Sequence, residues 1–253
     1  MNDGLLELAT LIESSGRAGA LVVALVGGGG KTSTMFALGR LFAGRGLHVL
    51  ATTTTRILDP ETASEREGRR FGKVIVLDDP TSSKSREILR NAGSPLVLGA
   101  RRDGEKLCGL DPVAIDALAD LFDIVLVEAD GSKGLPIKAP ASHEPVVPES
   151  SSVVIGVVGL DALGRPMDER VVHRPEIFGP LVDCAPGESI TAAHIARLAS
   201  SSDGFFKNSP AKAMRVVLLN KADLVAPDIA AACRDAITAE GYADKVILGA
   251  NRP

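Results

Sequence analysis

Aromatic residues are scarce in this chain: 3% of its 253 residues, with no Trp and one Tyr. Its core must therefore be aliphatic, and the stacking platforms that single-stranded nucleic acid uses are missing. Cysteine is sparse too. Cys108, Cys184 and Cys233 are isolated and odd in number, with no C-x-x-C pair and no His-rich tract. That argues against a disulfide framework and fits a reducing cytoplasm. No Lys/Arg block stands out and the formal net charge is −4, so the basic stripe expected for duplex DNA is lacking. Arg66, Arg69 and Arg70 lie among Glu65 and Glu67 and read as a solvated helix face. No apolar run approaches the ~20 residues of a membrane-spanning helix, and the first residues do not read as a signal peptide. The expectation is a cytoplasmic protein with neither a nucleic-acid nor a membrane partner.

What is present is an ordinary globular composition, 45% apolar and 24% charged, in a chain long enough for one large α/β domain. Short aliphatic runs fall at 21–26, 47–51, 74–77, 96–98, 124–128, 153–158, 215–219 and 246–248. Most are β-branched without polar alternation, the pattern of strands buried on both faces. Helical periodicity falls between them at 5–13, 32–43, 83–91, 113–122, 192–200 and 228–240. Asp111-Pro112 and Thr191 supply helix starts. This order predicts an α/β fold of the P-loop NTPase type, a doubly wound, mostly parallel sheet with helices on both faces. The whole chain, 1–253, reads as one nucleotide-binding domain with a small insertion near 161–190. The Pro-, Lys- and Gly-rich segment 131–149 reads as an ordered functional loop or a switch.

The sharpest local feature is an apolar strand running into Gly27-Gly28-Gly29-Gly30, then Lys31-Thr32-Ser33, then a helix. Glycines let successive backbone amides curl around an oxyanion, and the helix N-terminus adds partial positive charge. Lys31 is expected on the terminal phosphates and the Thr32 hydroxyl on Mg²⁺. The spacing departs from G-x-x-x-x-G-K-[ST], because Leu25 stands where the first Gly belongs. The shorter G-x-x-G-K-[ST] resembles that of Mur-type ligases. A ligand-free turn is the competing reading, but four glycines cost roughly 0.5–1 kcal/mol each relative to Ala.

Downstream, an apolar strand ends in Glu128-Ala129-Asp130-Gly131. A carboxylate there is where P-loop enzymes hold Mg²⁺, and E-x-x-G has the form of a γ-phosphate-sensing switch. Alternation sends Glu128 and Asp130 to the same side, so which one faces the metal is left open. Lys31, Glu128 and Asp130 are the candidate catalytic residues. Thr32, Thr53, Glu128 and Asp130 are the candidate metal ligands, Thr53 being drawn from the run Thr52–Thr55. Lys133 and Lys138 read equally as phosphate or substrate partners and as solvated lysines. His143 carries little weight. Asn220-Lys221-Ala222-Asp223 has the N-K-x-D form that reads guanine, with Asp223 accepting from ring and amine donors that adenine lacks. Lys221 would cover the base and Asn220 would tie the loops together. Ala250, in Gly249-Ala250-Asn251, is a candidate amide donor to the base.

The combination GGGGKTS, TTTTRI, VEADGSKGLPIKAPASHEPVVP and NKAD resembles the YqeC family from about residue 21 to 249. That resemblance implies a maturation or accessory role for selenium-dependent molybdenum hydroxylases, with such an enzyme or its cofactor as partner. The lysine by which dimeric ParA-like ATPases act across a subunit boundary is missing, and a homodimer is left open. The expected ligands are GTP, with ATP as the alternative, and Mg²⁺. Three functions remain: a GTPase, an ATP-dependent ligase or kinase acting on a small acid or cofactor precursor, and a nucleotide-locked binding module.

Overall fold

A computed structural model describes residues 3–16, 19–62 and 71–250. The arginine cluster at 66–70 and Asn251 lie outside the described residues. The chain runs α1 (Asp3–Ser14), β1 (Leu21–Gly27), α2 (Lys31–Gly44), β2 (Val49–Thr53), β3 (Arg56–Leu58), β4 (Lys73–Val76), α3 (Ser83–Arg90), β5 (Leu96–Gly99), β6 (Arg101–Asp103), β7 (Lys106–Cys108) and α4 (Pro112–Leu118). It continues through β8 (Ile124–Glu128), β9 (Ile137–Lys138), β10 (Ser151–Gly159), β11 (Val172–His173), α5 (Pro175–Val182), α6 (Ala192–Ser200), β12 (Met214–Asn220), α7 (Pro227–Glu240) and β13 (Lys245–Leu248).

Eight strands form one sheet in the order β13-β12-β10-β1-β8-β2-β5-β4. They are the eight expected from the aliphatic runs, and every pairing between them is parallel. Uniformly apolar strands allow this, because each presents apolar groups to both layers. In β1, Val23 and Leu25 pack with Leu8, Met35 and Leu38 of α1 and α2. Ala24 and Val26 face the other layer, with Phe178, Ile195 and Ala230 from α5, α6 and α7. The expected caps form: Asp111 accepts from the Val113 amide ahead of α4, and Thr191 from the His194 amide at α6.

The 161–190 segment is bound into the main core. Met167, Val172, Phe178, Val182 and Ile190 pack in the cluster that includes Val154 of β10 and Leu219 of β12. Two small sheets are additions to the expected elements. β3, β7 and β6 form an antiparallel sheet, and β9 pairs with β11 in parallel, setting Lys138 beside His173. Segment 131–149 runs beneath the cradle, with Ile137, Lys138 and Ala139 buried. Its return is tied to the end of β8 by the Val146 amide donating to Ala129 O at 3.0 Å.

Candidate functional site

β1 lies between β8 and β10, and its C-terminal end turns into α2 through the four glycines. Gly30, the residue before α2, has φ 113° and ψ 32°, a conformation that side chains disfavour. Gly29 has φ +70°, and a Cβ there would stand 2.0 Å from the Gly159 amide nitrogen. The backbone thus approaches β10 too closely for any other residue. The bend does not turn all of its amides outward. Gly27 N–H donates to Asp130 Oδ2 at 3.1 Å. Gly28 N–H donates to Val157 O and Gly29 N–H to Leu135 O, each at 2.9 Å. This narrows the expected cradle, since those three amides hold the bend itself. The amides of Lys31, Thr32 and Ser33 open α2, where a helix has no acceptor for them. Gly30, Lys31, Thr32 and Ser33 line a cleft of about 860 Å³.

β8 brings the carboxylates under this helix end. Glu128 pairs in register with Leu25 on one side and Thr53 on the other. It follows Leu126, which packs in the α2 layer, so alternation turns Glu128 toward α2 as well. Thr32 Oγ1 donates to Glu128 Oε2 at 2.6 Å. Asp130 lies past the strand end and takes a different role. Its Oδ2 receives the Gly27 amide, its Oδ1 is 3.1 Å from Lys31 Nζ, and Lys138 Nζ lies 3.2 Å from Oδ2. Lys31 Nζ also donates to Gly27 O at 2.6 Å and lies 3.8 Å from Glu128. Both carboxylates reach Lys31, and of the two only Glu128 lines the cleft.

The charges are strongly coupled. Burial pulls the Lys31 ammonium down, but the Asp130 and Glu128 charges outweigh it and the group is raised overall. Burial lifts the Glu128 carboxyl above its ordinary range, against the pull of Lys31 and the Thr32 hydroxyl. Behind them stands a second layer. Lys138, read from sequence as a phosphate partner or a solvated lysine, is fully buried. It bridges Asp130 and Glu144, 2.7 Å from the latter, and Arg174 closes the group on Glu144. Burial pushes Glu144 up, yet hydrogen bonds from Arg174 and Lys138 bring its pKa down to about 2. Sequence patterning assigns neither Glu144 nor Arg174 a role. Their neighbour His143 is exposed.

The threonine expectation needs correction at Thr53. Its hydroxyl donates to the Glu128 backbone oxygen at 2.7 Å and is buried, because the side chain falls in the interior pairing of β2 with β8. Thr54 and Thr55 line the cleft instead. At the far end, Asn220 Nδ2 donates to Gly29 O at 2.7 Å, joining the β12 loop to the cradle. Lys221 lines the cleft with φ 59°, its ammonium 2.8 Å from Asp161. Asp223 is exposed, not buried, and stands outside the cleft lining. Ala250 is half-buried, next to Gly249, whose oxygen accepts from the Ala222 amide. Asp161, His173 and Lys106 join the site with no prior signal.

No helix among the described residues is long and apolar enough to cross a membrane. The sequence pattern of the YqeC protein family matches residues 23–176, which hold the cradle, the acidic strand and the Lys138–Glu144–Arg174 group. A protein of Escherichia coli (strain K12) named "Uncharacterized protein YqeC" is 33% identical over 218 residues, covering 84% of this chain and 80% of that one. On both grounds, this chain belongs to the YqeC family.

Proposed function

We propose that this protein binds a nucleoside triphosphate with Mg²⁺ at the N-terminus of α2, prefers GTP, and hydrolyses or transfers the terminal phosphate. The carrying observation is the conjunction of Lys31, Thr32 and Glu128 at one helix end beside the strand termini. The donor set suits magnesium: a hydroxyl and a carboxylate oxygen 2.6 Å apart, both hard ligands, on the cleft wall. The ion would neutralise phosphate charge and polarise the phosphoryl oxygens. Thr32 and Glu128 would hold it. Asp130 would orient Lys31 and fix the Gly27 amide rather than ligate. Lys31, now resting on Gly27 O and the two carboxylates, would exchange that carbonyl for phosphate oxygens. The α2 amides from Lys31 to Ser33 would receive the same charge.

Lys221 would stack on the base, and Asp223 would accept from a guanine drawn toward it, with Ala250 as a backbone donor. The role in maturing selenium-dependent molybdenum hydroxylases rests on family resemblance. A second reading, an ATP-dependent ligase or kinase, is favoured by the short Mur-like loop and the roomy cleft.

Calorimetry with Mg²⁺ decides between them. GTP should bind at least tenfold more tightly than ATP, and equal affinities would remove the guanine reading. Lys31→Ala should weaken GTP by tenfold or more, since a charge-assisted hydrogen bond is worth about 1.5–3 kcal/mol. Wild-type affinity in that variant would remove the cradle reading altogether.

A further inference from the structure

The cleft is more positive than a protein of net charge −4 leads one to expect. Among the described residues, five basic ones line it against two acidic ones, Glu128 and Glu144. Lys31 is engaged by Asp130 and Lys221 by Asp161. Lys106 and Lys133 have no ion-pair partner among the described residues, and both are exposed in the cleft wall.

The small β3-β7-β6 sheet positions part of this charge. Arg56 pairs with Cys108 and Leu58 with Lys106, so directly opposed residues share one face. On the other face, Ile57 and Leu107 are buried in the main core and fix the sheet in place. Arg56, Leu58 and Lys106 line the cleft, as does Ile57. Arg56 is steadied by Asp103 at 3.0 Å. Leu58 is 39% exposed, an apolar step between two cations. Lys133 and His173 also line the cleft, from the 131–149 segment and β11. Lys133 is held at φ 52°, a left-handed conformation outside glycine's preserve. His173 reports the local field. Burial lowers its pKa first, and the Arg174, Lys138 and Lys133 charges lower it further, so at neutral pH it is an uncharged hydrogen-bonding group.

We propose that Arg56, Leu58 and Lys106, together with Lys133 and His173, form a subsite for a second substrate, an organic anion with an apolar body, held beside the nucleotide phosphates. The cations take its carboxylate or phosphate, Leu58 takes its apolar body, and neutral His173 donates or accepts one hydrogen bond. This rests on the nucleotide reading for its purpose, because an anion in this cleft would lie within reach of a transferable phosphoryl group.

The probe is the fluorescent anion anilinonaphthalene sulfonate, titrated into protein saturated with Mg²⁺ and a non-hydrolysable GTP analogue. Its neutral parent, anilinonaphthalene, is the control. Wild type should bind the anion and give little response to the parent. Lys106→Gln combined with Lys133→Gln should weaken the anion at least tenfold and leave the nucleotide dissociation constant within twofold. Lys106→Arg should bind the anion as wild type does. The proposal is overturned if the double variant binds the dye unchanged, or if it loses nucleotide and keeps dye, since those lysines would then serve the triphosphate. Failure of the wild type to bind GTP·Mg²⁺ would strike the nucleotide reading alone, because dye binding can be scored without nucleotide.

Discussion

Around the glycine bend and the start of α2, Lys31, Glu128, Asp130, Lys138 and Glu144 are each no more than 7% exposed. In the loop after β12, Asp223 is exposed, Leu224 is 52% exposed, and the turn Ala222–Leu224 buries no residue. The first region is held by the central strands and a charge network; the second hangs on the bonds from Asn220 to Gly29, Lys221 to Asp161, and Ala222 to Gly249. Phosphate recognition is generic and demands amides and charges in fixed places, which a core supplies cheaply. On the proposed reading, base recognition would fall to loops. On the proposed nucleotide reading, substitutions around the glycine bend should therefore disturb folding and binding together, and those in the β12 loop should disturb selectivity alone.

The sharpest break in this comparison comes from Lys138. Lys138→Met keeps the volume and removes the charge, leaving Asp130 and Glu144 buried without it. The expected loss is about 3–5 kcal/mol in denaturant unfolding, against about 0.5 kcal/mol or less for Lys133→Met in the exposed wall. Equal losses would mean the network is not what holds the region around the glycine bend. The same network has a pH signature. Glu144 titrates near 2 in the folded protein, below its unfolded value, so its contribution is full above about pH 4.5 and is lost as the pH falls through about 2. Glu144→Gln should flatten that part of the acid limb. An unchanged acid limb would show that the carboxyl is not held ionised by Arg174 and Lys138.

A smaller effect is expected from the glycine bend. Gly29→Ala combines φ +70° with a Cβ 2.0 Å from the Gly159 nitrogen, whereas Gly46→Ala, at φ +85°, meets open space. Strain alone costs about 1 kcal/mol at Gly46. Gly29→Ala should exceed that by about 1–2 kcal/mol, since β10 or the bend must shift. It should also weaken nucleotide, measured by thermal shift, while Gly46→Ala does not. If the two variants behaved alike, the close approach to β10 would carry no weight in shaping the cradle.

The same contrast explains what could be read in advance. All eight strands of the sheet were legible, because β-branched aliphatic runs leave few alternatives to a two-sided buried strand. β3, β6 and β7 were not, since three residues such as Arg101-Arg102-Asp103 have no measurable period and are set by pairing. Helix α5 was hidden by Gly179 and Pro180 within it, which read as breakers. Asn220 was legible as a loop tie because its motif follows a buried strand. Glu144 was not. Its partners are Lys138, six residues earlier, and Arg174, thirty residues later, and nothing in SHEP marks a buried acid. The division of labour between Glu128 and Asp130 also required the fold, because strand alternation stops at Glu128 while the chain bends.

The smallest effect on stability, and the most selective on binding, belongs to Asp223. It is exposed on a short turn, so Asp223→Asn should shift unfolding by about 0.5 kcal/mol or less. If its carboxylate accepts both guanine donors, the amide repels one of them with its own N–H. GTP affinity should then fall by about tenfold or more, and xanthosine triphosphate, which carries a carbonyl in place of the amine, should gain. Affinity for the Mg²⁺–phosphate portion, measured with pyrophosphate, should stay as in wild type, since Lys31, Thr32 and Glu128 are untouched. A loss of pyrophosphate affinity would mean the two ends are not separable, and an unchanged preference for GTP would place base selection somewhere other than this turn.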